Sequence, residues 1–110
     1  MSSINLALYC QEFDDYLVDT YQDCILDYIG IHYIFRFPNG YGASVVKSFG
    51  SIGYMSDMWE LSVIIFDRPN ILGSGSYRLA YPYSIVKNNG VLGPLTDDDV
   101  KEYLRKIKEL

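Results

Sequence analysis

The strongest constraint on the fold is a hairpin signal in the middle of the chain. Residues 31–37, Ile-His-Tyr-Ile-Phe-Arg-Phe, are β-branched and aromatic with a repeat of two, which is typical of a strand. Pro38-Asn39-Gly40 follow, and Asn-Gly is a frequent hairpin turn. Residues 43–48 return with Val45 and Val46 at their centre. We therefore predict two antiparallel strands joined by a tight turn.

Two more segments have the pattern of strands. Residues 59–66, Trp-Glu-Leu-Ser-Val-Ile-Ile-Phe, alternate between two faces. One face is predicted to carry Trp59, Leu61, Val63 and Ile65, and the other Glu60, Ser62, Ile64 and Phe66. Residues 77–81, Tyr-Arg-Leu-Ala-Tyr, alternate in the same way. Residues 49–57 are a predicted loop, residues 67–70 a predicted turn and residues 73–76 a predicted loop tip, because all three are rich in turn-forming residues. Residues 82–94 are predicted to be irregular. The expected sheet is an antiparallel meander of about four strands.

Both ends of the chain are predicted helices. Over residues 4–20, Leu6, Cys10, Phe13 and Leu17 recur at spacings of four and three, the repeat of an apolar helix face, and Ser3 or Asn5 could cap its start. The pattern extends towards Tyr28, so residues 22–29 fit either a longer helix or a strand.

The last helix has signals at both of its ends. Thr96 precedes Asp97-Asp98-Asp99, an N-cap hydroxyl followed by acids in the first turn. Basic residues fill the last turns, and an apolar stripe runs between the two ends: Val100, Tyr103, Leu104 and Ile107. With 110 residues, 49% of them hydrophobic and 21% charged, the chain is expected to form a single domain over 1–110. The expected class is α+β, with both helices packed on one sheet face.

The acidic residues are unevenly placed. The net charge is −5, but residues 1–35 contain six acids and no Lys or Arg, so the rest of the chain is nearly neutral. On a continuous helix, Asp15, Asp19, Asp23 and Asp27 would form a column at intervals of about 6 Å, where like charges repel. One interpretation is a solvated helix face. The other is an acidic surface that binds a host protein with a basic surface, with Glu12 and these four aspartates as its contacts.

The aromatic residues suggest two other functions. The chain has 11 Tyr, 5 Phe and 1 Trp, more than a core of this size requires. A pocket lined by Tyr41, Tyr54, Trp59 and Tyr81 would bind a small ligand such as a nucleotide. Alternatively, surplus aromatic side chains would form a subunit interface in a homo-oligomer, with a homodimer as the simplest case.

Several classes of function have little support in the sequence. His32 is the only histidine, and Cys10 and Cys24 are fourteen residues apart, so we predict no metal site, no cofactor and no enzymatic activity. Both cysteines are predicted to be buried apolar residues. The negative charge argues against direct binding to nucleic acid or to an anionic membrane. Without an apolar run of 18 residues or a signal peptide, a cytoplasmic location is expected.

Several motifs carry a resemblance to a group of proteins. They are Phe-Arg-Phe-Pro-Asn-Gly-Tyr-Gly-Ala-Ser-Val-Val over residues 35–46, Gly53-Tyr54, Trp59-Glu60-Leu61, and Leu-Thr-Asp-Asp-Asp-Val over residues 95–100. Over roughly residues 31–67 and 95–110, the chain resembles small uncharacterised proteins encoded by bacteriophages. Such small acidic accessory proteins often block host machinery, as anti-CRISPR and other anti-defence inhibitors do. The resemblance implies an inhibitor of a nucleic-acid-handling defence effector in the host cytoplasm, and it carries no catalytic residues.

Overall fold

The described residues form a six-stranded antiparallel sheet with one α-helix at the C-terminal end. The computed structural model describes residues 6–8, 10–66, 77–86 and 90–110. In chain order, the elements are a 3₁₀ helix (Gln11–Tyr16), β1 (Leu17–Ile25), β2 (Tyr28–Arg36), β3 (Tyr41–Lys47), a short 3₁₀ turn (Tyr54–Ser56), β4 (Trp59–Phe66), β5 (Tyr77–Leu79), β6 (Val91–Leu95) and α1 (Asp97–Lys108).

The strands from β1 to β5 lie in the order of the chain. Each pairs antiparallel with the next, as a meander of short connections requires. β6 also pairs with β4, over Trp59–Ser62, whereas β5 pairs with the other half of β4, from Ile64 to Phe66. Two short strands therefore share one side of β4, and β1 lies at the opposite end of the sheet.

The main core lies between the sheet and α1. The alternation in β2, β3 and β4 directs Phe35, Val45 and Leu61 to this side, and Leu104 and Ile107 of α1 belong to the same buried cluster. The indole of Trp59 is fully buried there, and its Nε1 donates a hydrogen bond to Asp97 Oδ1 at 2.7 Å. A single hydrogen bond thus links the start of β4 to the first turn of the helix.

A smaller apolar cluster occupies the other face of the sheet. Ile34, Ile64 and Phe66 are buried together, and the Arg36 guanidinium lies over the Phe66 ring at 4.9 Å from its centroid. β4 therefore has the two faces that were predicted for residues 59–66, and each face carries buried side chains.

The C-terminal helix is confirmed. The Thr96 side chain accepts a hydrogen bond from the Asp99 N–H, and the Asp99 carboxylate accepts one from the Thr96 N–H. This capping box satisfies two donors that the helix itself leaves unpaired. None of the described helices has the length and the apolar run that a membrane span requires.

The prediction of an N-terminal helix over residues 4–20 is wrong. The described part forms a 3₁₀ helix that ends at Tyr16, and β1 begins at Leu17. β1 contains Val18 and Thr20, which favour strands, and Asp19 and Asp23, which are poor helix formers. Pairing of β1 with β2 along eight positions outweighs the local helical pattern.

The number of strands is also corrected, from about four to six. β2 to β5 correspond to the four predicted strands, β1 replaces the predicted helix, and β6 lies inside the region 82–94 that was expected to be irregular. The sequence did not predict β6 because it contains Gly93 and Pro94, and both residue types are rare in strand interiors. The predicted turn 67–70, the loop tip 73–76 and the Ser3 or Asn5 cap lie outside the described residues.

Candidate functional site

The β1–β2 hairpin turns at Leu26 and Asp27. Ile25 pairs with Tyr28, so the loop has two residues, and both have positive φ angles of 51° and 68°. These are the signs of a type I′ turn, the type that suits the twist of a hairpin. Asn-Gly is the preferred sequence for this turn, whereas a leucine in the left-handed region costs about 1 kcal/mol.

The hairpin extends beyond the next strand. The last pair of β2 with β3 is Ile31 with Lys47, so residues 24–29, which we call the hairpin tip, project past β3. Leu26 is 74% exposed and Ile29 is 52% exposed. The other large apolar side chains of the tip are exposed as well: Ile25 and Tyr28. The tip thus exposes apolar side chains on both faces of the hairpin and at its turn.

Aromatic side chains brace the tip from one side. The Tyr28 ring stacks on Phe49 with centroids 4.9 Å apart, and it meets Tyr54 edge-on at 6.1 Å. The Tyr54 hydroxyl donates a hydrogen bond of 2.8 Å to the Ile29 carbonyl. Tyr54 itself is buried, and its burial raises the pKa of the phenol. These contacts fix the direction in which the hairpin leaves the sheet.

A polar cluster lies where the hairpin leaves the sheet. Asp23 Oδ2 accepts hydrogen bonds from His32 Nε2 at 2.6 Å and from Ser48 Oγ at 2.7 Å. The His32 ring stacks on Tyr21, with centroids 4.3 Å apart and planes 8° from parallel. One carboxylate therefore joins side chains of β2 and of the residue after β3, while Tyr21 covers the imidazole.

Burial and hydrogen bonding have opposite effects on the pKa of the Asp23 carboxyl. The side chains of Asp23 and His32 are 24% and 19% exposed, and burial alone would raise the pKa of the carboxyl. The hydrogen bonds from His32 and Ser48 outweigh this and lower the pKa of Asp23. Asp23 Oδ1 is buried without a hydrogen-bond partner in the described part of the chain. The carboxylate is thus a structural acceptor.

The order of contacts in this cluster differs from that of a hydrolytic triad. In a triad, the histidine lies between the nucleophilic hydroxyl and the carboxylate, so that it can take the proton. Here the carboxylate lies between Ser48 and His32 and accepts from both. The arrangement connects β1, β2 and the residue after β3, and it places the carboxylate, instead of the imidazole, against the Ser48 hydroxyl.

The five acidic residues predicted to bind a partner do not form one column. Glu12 pairs with Arg105, whose Nη2 lies 2.7 Å from Glu12 Oε1. Asp15 is exposed in the 3₁₀ helix, Asp19 is exposed on β1, and Asp27 is in the turn. Asp19 and Asp23 do share a face, but of a strand, where four residues span about 13 Å.

The four aromatic residues of the alternative ligand site occupy different environments. Trp59 and Tyr54 are buried, and the indole N–H and the phenol O–H both bind protein acceptors. Tyr41 starts β3 and packs at the margin of the main core, whereas Tyr81 is exposed. No described contact joins the four into one lining.

The described residues contain no cluster of three or more His, Cys, Asp or Glu side chains suited to a metal ion. Both described cysteines are free thiols, with Cys10 buried and Cys24 exposed on β1. Burial, followed by the charge of Asp14, raises the pKa of Cys10 to about 11. The prediction that both are buried is therefore confirmed for Cys10 and wrong for Cys24.

Sequence reasoning missed the two features that define the site. The His32–Asp23 contact depends on the register of β1 against β2, which the sequence does not display. Leu26-Asp27 lacks the usual residues of a hairpin turn, so the turn went unrecognised. One signal was available in the sequence. Ile25 and Tyr28 flank the two turn residues, and β-branched and aromatic residues are typical of strands.

Comparison with protein-family models, with curated proteins and with solved structures gives no match for this chain. The arguments for its function therefore come from the geometry and chemistry of the hairpin.

Proposed function

We propose that this chain is a protein-binding module that docks on a partner protein through the hairpin tip. The observation that carries the proposal is Leu26, a leucine with φ of 51° and a side chain that is 74% exposed. Both its backbone angle and its exposure are unfavourable in the free protein. Contact with a partner would bury the side chain and offset both costs.

The surroundings of Leu26 support the same function. Ile25, Tyr28 and Ile29 extend the apolar surface on both strands, and tyrosine is enriched at protein interfaces. Stacking of Tyr28 on Phe49 holds the tip in place before binding, which lowers the entropy cost of association. The tip therefore combines exposed apolar area with a fixed direction.

The narrower hypothesis concerns the identity of the partner. Inhibition of a host defence effector that handles nucleic acid stays a prediction, supported by the phage resemblance and by the negative charge near β1. Binding through acidic residues on one continuous helix is ruled out as its mechanism, because these residues lie on a 3₁₀ helix, a strand and a turn. In its place, the tip supplies the apolar contact and Asp19 and Asp27 supply charge beside it.

A double substitution tests the tip without weakening the fold. Leu26→Asn with Asp27→Gly installs the preferred type I′ sequence, and we expect it to stabilise the protein by about 1 kcal/mol. The tagged wild type is used to capture proteins from a bacterial lysate, and each captured protein is then purified and titrated directly. We expect the double variant to lose at least about tenfold in affinity for the true partner.

A matched control replaces another exposed apolar residue. Tyr83→Asn removes an exposed ring in a different segment, and its affinity for the partner should equal that of the wild type. Equal affinity of the wild type and the double variant for every captured protein would contradict the proposal.

A further inference from the structure

The outer edge of β1 pairs with no other strand in the described part of the chain. Among the described strands, β1 has β2 as its one neighbour. In a two-residue hairpin the residues that flank the turn form a hydrogen-bonded pair, and such pairs then alternate along the ladder. Asp19, Tyr21, Asp23 and Ile25 therefore bond to β2. The backbone N–H and C=O groups of Thr20, Gln22 and Cys24 point outward.

Of the features that protect most edge strands, β1 has acidic side chains and one register shift but lacks several others. Lysine, proline, bulges and short length usually prevent an edge from pairing with other chains. β1 is nine residues long and contains no Lys or Pro. Its one irregularity is a register shift between Leu17 and Asp19, at its beginning. The ladder is regular from Asp19 onward, so a segment could pair with the edge from Thr20 onward.

The charge on β1 disfavours a second copy of the chain as the occupant. Asp19, Tyr21 and Asp23 share one face of the strand, and an antiparallel pair of β1 strands would place the acids of both copies on the same face of the joined sheet. The register that pairs Thr20 with Gln22 of the second copy sets Asp19 opposite Asp23, twice. Like charges in directly opposed positions destabilise a sheet.

The same charge favours a basic occupant. Arg105 neutralises Glu12, but Asp15 and Asp19 are exposed along or next to the edge, and Asp27 is exposed at its end. β1 carries no base of its own. Lysine or arginine opposite Asp19 would therefore face an acid, while an apolar residue opposite Ile25 would extend the apolar surface of the tip.

We propose that β1 accepts an extended, basic segment of the partner protein as an additional strand, with Lys or Arg alternating with apolar residues. The inference rests on the proposed protein-binding function and specifies the partner chemistry. Backbone hydrogen bonds to Thr20, Gln22 and Cys24 provide the attachment, and the charges select the sequence. Association is then faster at low salt.

The test uses a defined probe. A blocked nine-residue peptide alternates Lys with Val, and its analogue has Glu in place of Lys. We expect the Lys peptide to bind the full chain with an affinity that falls with salt, and the Glu peptide to bind at least about tenfold more weakly. Amide exchange at Thr20, Gln22 and Cys24 should slow at least about tenfold when the Lys peptide is saturating.

Two variants separate the contributions of backbone and charge. Gln22→Pro removes an outward N–H and leaves the β1–β2 bonds in place, because proline is tolerated on the open side of an edge strand. Its matched control, Gln22→Ala, keeps the N–H. Asp19→Lys reverses the charge at the edge, and Glu109→Lys makes the same change at the exposed end of α1. We expect at least about tenfold weaker peptide binding for Gln22→Pro and Asp19→Lys, and little change for the controls.

Several results would overturn the inference. They are equal binding of the Lys and Glu peptides, no binding of the Lys peptide up to about 1 mM, and no slowing of exchange at the three amides. The exchange measurement uses the wild type, so it decides the matter even if Gln22→Pro fails to fold. If the tip double variant loses its captured partner while Gln22→Pro keeps it, strand addition is wrong and the proposed function stands. If neither variant changes partner affinity, the proposed function is wrong as well.

Discussion

His32 Nε2 lies 2.6 Å from Asp23 Oδ2, on the neighbouring strand, and the same oxygen accepts the Ser48 hydroxyl. These two contacts connect β1 and β2 to the end of β3 at the point where the hairpin tip begins to project. A tip that acts as a rigid docking element needs such an anchor at its base. The stability of this cluster is therefore the first property to measure.

Replacing Asp23 should weaken the protein in a pH-dependent way. Asp23→Asn keeps the shape of the side chain but removes the charge that strengthens both hydrogen bonds, so we expect a loss of about 1–3 kcal/mol in the free energy of unfolding at pH 7. The measurement is urea unfolding followed by circular dichroism. The matched control is Asp19→Asn, an exposed aspartate on the same face of the same strand.

The sign of the pH effect follows from the pKa of Asp23. Folding lowers this pKa, so the carboxylate stabilises the folded state above the unfolded pKa of about 3.9, and the stabilisation is lost as the pH falls through the folded pKa. The stability difference between the wild type and Asp23→Asn should therefore shrink below about pH 4. A difference that stays constant down to pH 2 would show that the charge of Asp23 contributes nothing.

Gly30 gives the Asp23 carboxylate its space. It pairs with Asp23 across the ladder, and a Cβ at Gly30 would lie 2.5 Å from Asp23 Oδ1 and 2.7 Å from Ser48 Cα. We expect Gly30→Ala to destabilise the protein by about 1–3 kcal/mol, because both the carboxylate and the backbone of Ser48, just after β3, must shift. Gly40→Ala would be a poor control, because the φ of 88° at Gly40 itself disfavours alanine. The control is therefore Ala43→Gly, the reverse substitution at a buried strand position.

A double variant identifies which contact accounts for the loss of stability in Gly30→Ala. If the clash with the carboxylate dominates, combining Gly30→Ala with Asp23→Ala should cost less than the sum of the two single changes. Additive losses would instead mean that the clash with the Ser48 backbone causes the destabilisation.

The sequence predicts the central strands better than the first one, for a physical reason. In β2 and β4, large side chains alternate with a repeat of two, and a helix has no such repeat. Residues four apart, such as Asp19 and Asp23, share a face both in a helix and in a strand. The acidic spacing therefore could not distinguish the two structures.

The same limit applies to the site. His32 and Asp23 are nine residues apart, and their contact exists only because a two-residue turn sets the register. Leu26 gives no local indication of that turn, since leucine is rare at positive φ. The C-terminal helix, in contrast, was predictable because its capping box and apolar stripe are local patterns.

The hydrogen bond between Trp59 and Asp97 should stabilise the fold, because it satisfies the N–H of a buried indole. Asp97→Ala leaves the buried indole N–H without its acceptor, and we expect a loss of about 1–3 kcal/mol in unfolding free energy. Trp59 is the only tryptophan, so its fluorescence reports unfolding directly. The matched control is Asp98→Ala, since Asp98 is 94% exposed on the same turn and should cost below about 1 kcal/mol. Equal losses for the two variants would mean that the helix dipole, and not the indole, accounts for the effect.

The two cysteines should differ sharply in reactivity with a thiol reagent such as Ellman's reagent. Cys24 is exposed on β1, whereas Cys10 is buried and its pKa is raised to about 11. At pH 8, about one Cys10 side chain in a thousand is a thiolate, against roughly one in four for an ordinary thiol. We expect one fast-reacting thiol in the native wild type and two after denaturation. In Cys24→Ser the fast reaction should disappear, and in Cys10→Ser it should remain unchanged. Fast native labelling of Cys24→Ser would contradict the burial of Cys10, and protection of Cys24 would contradict the exposure of its side chain.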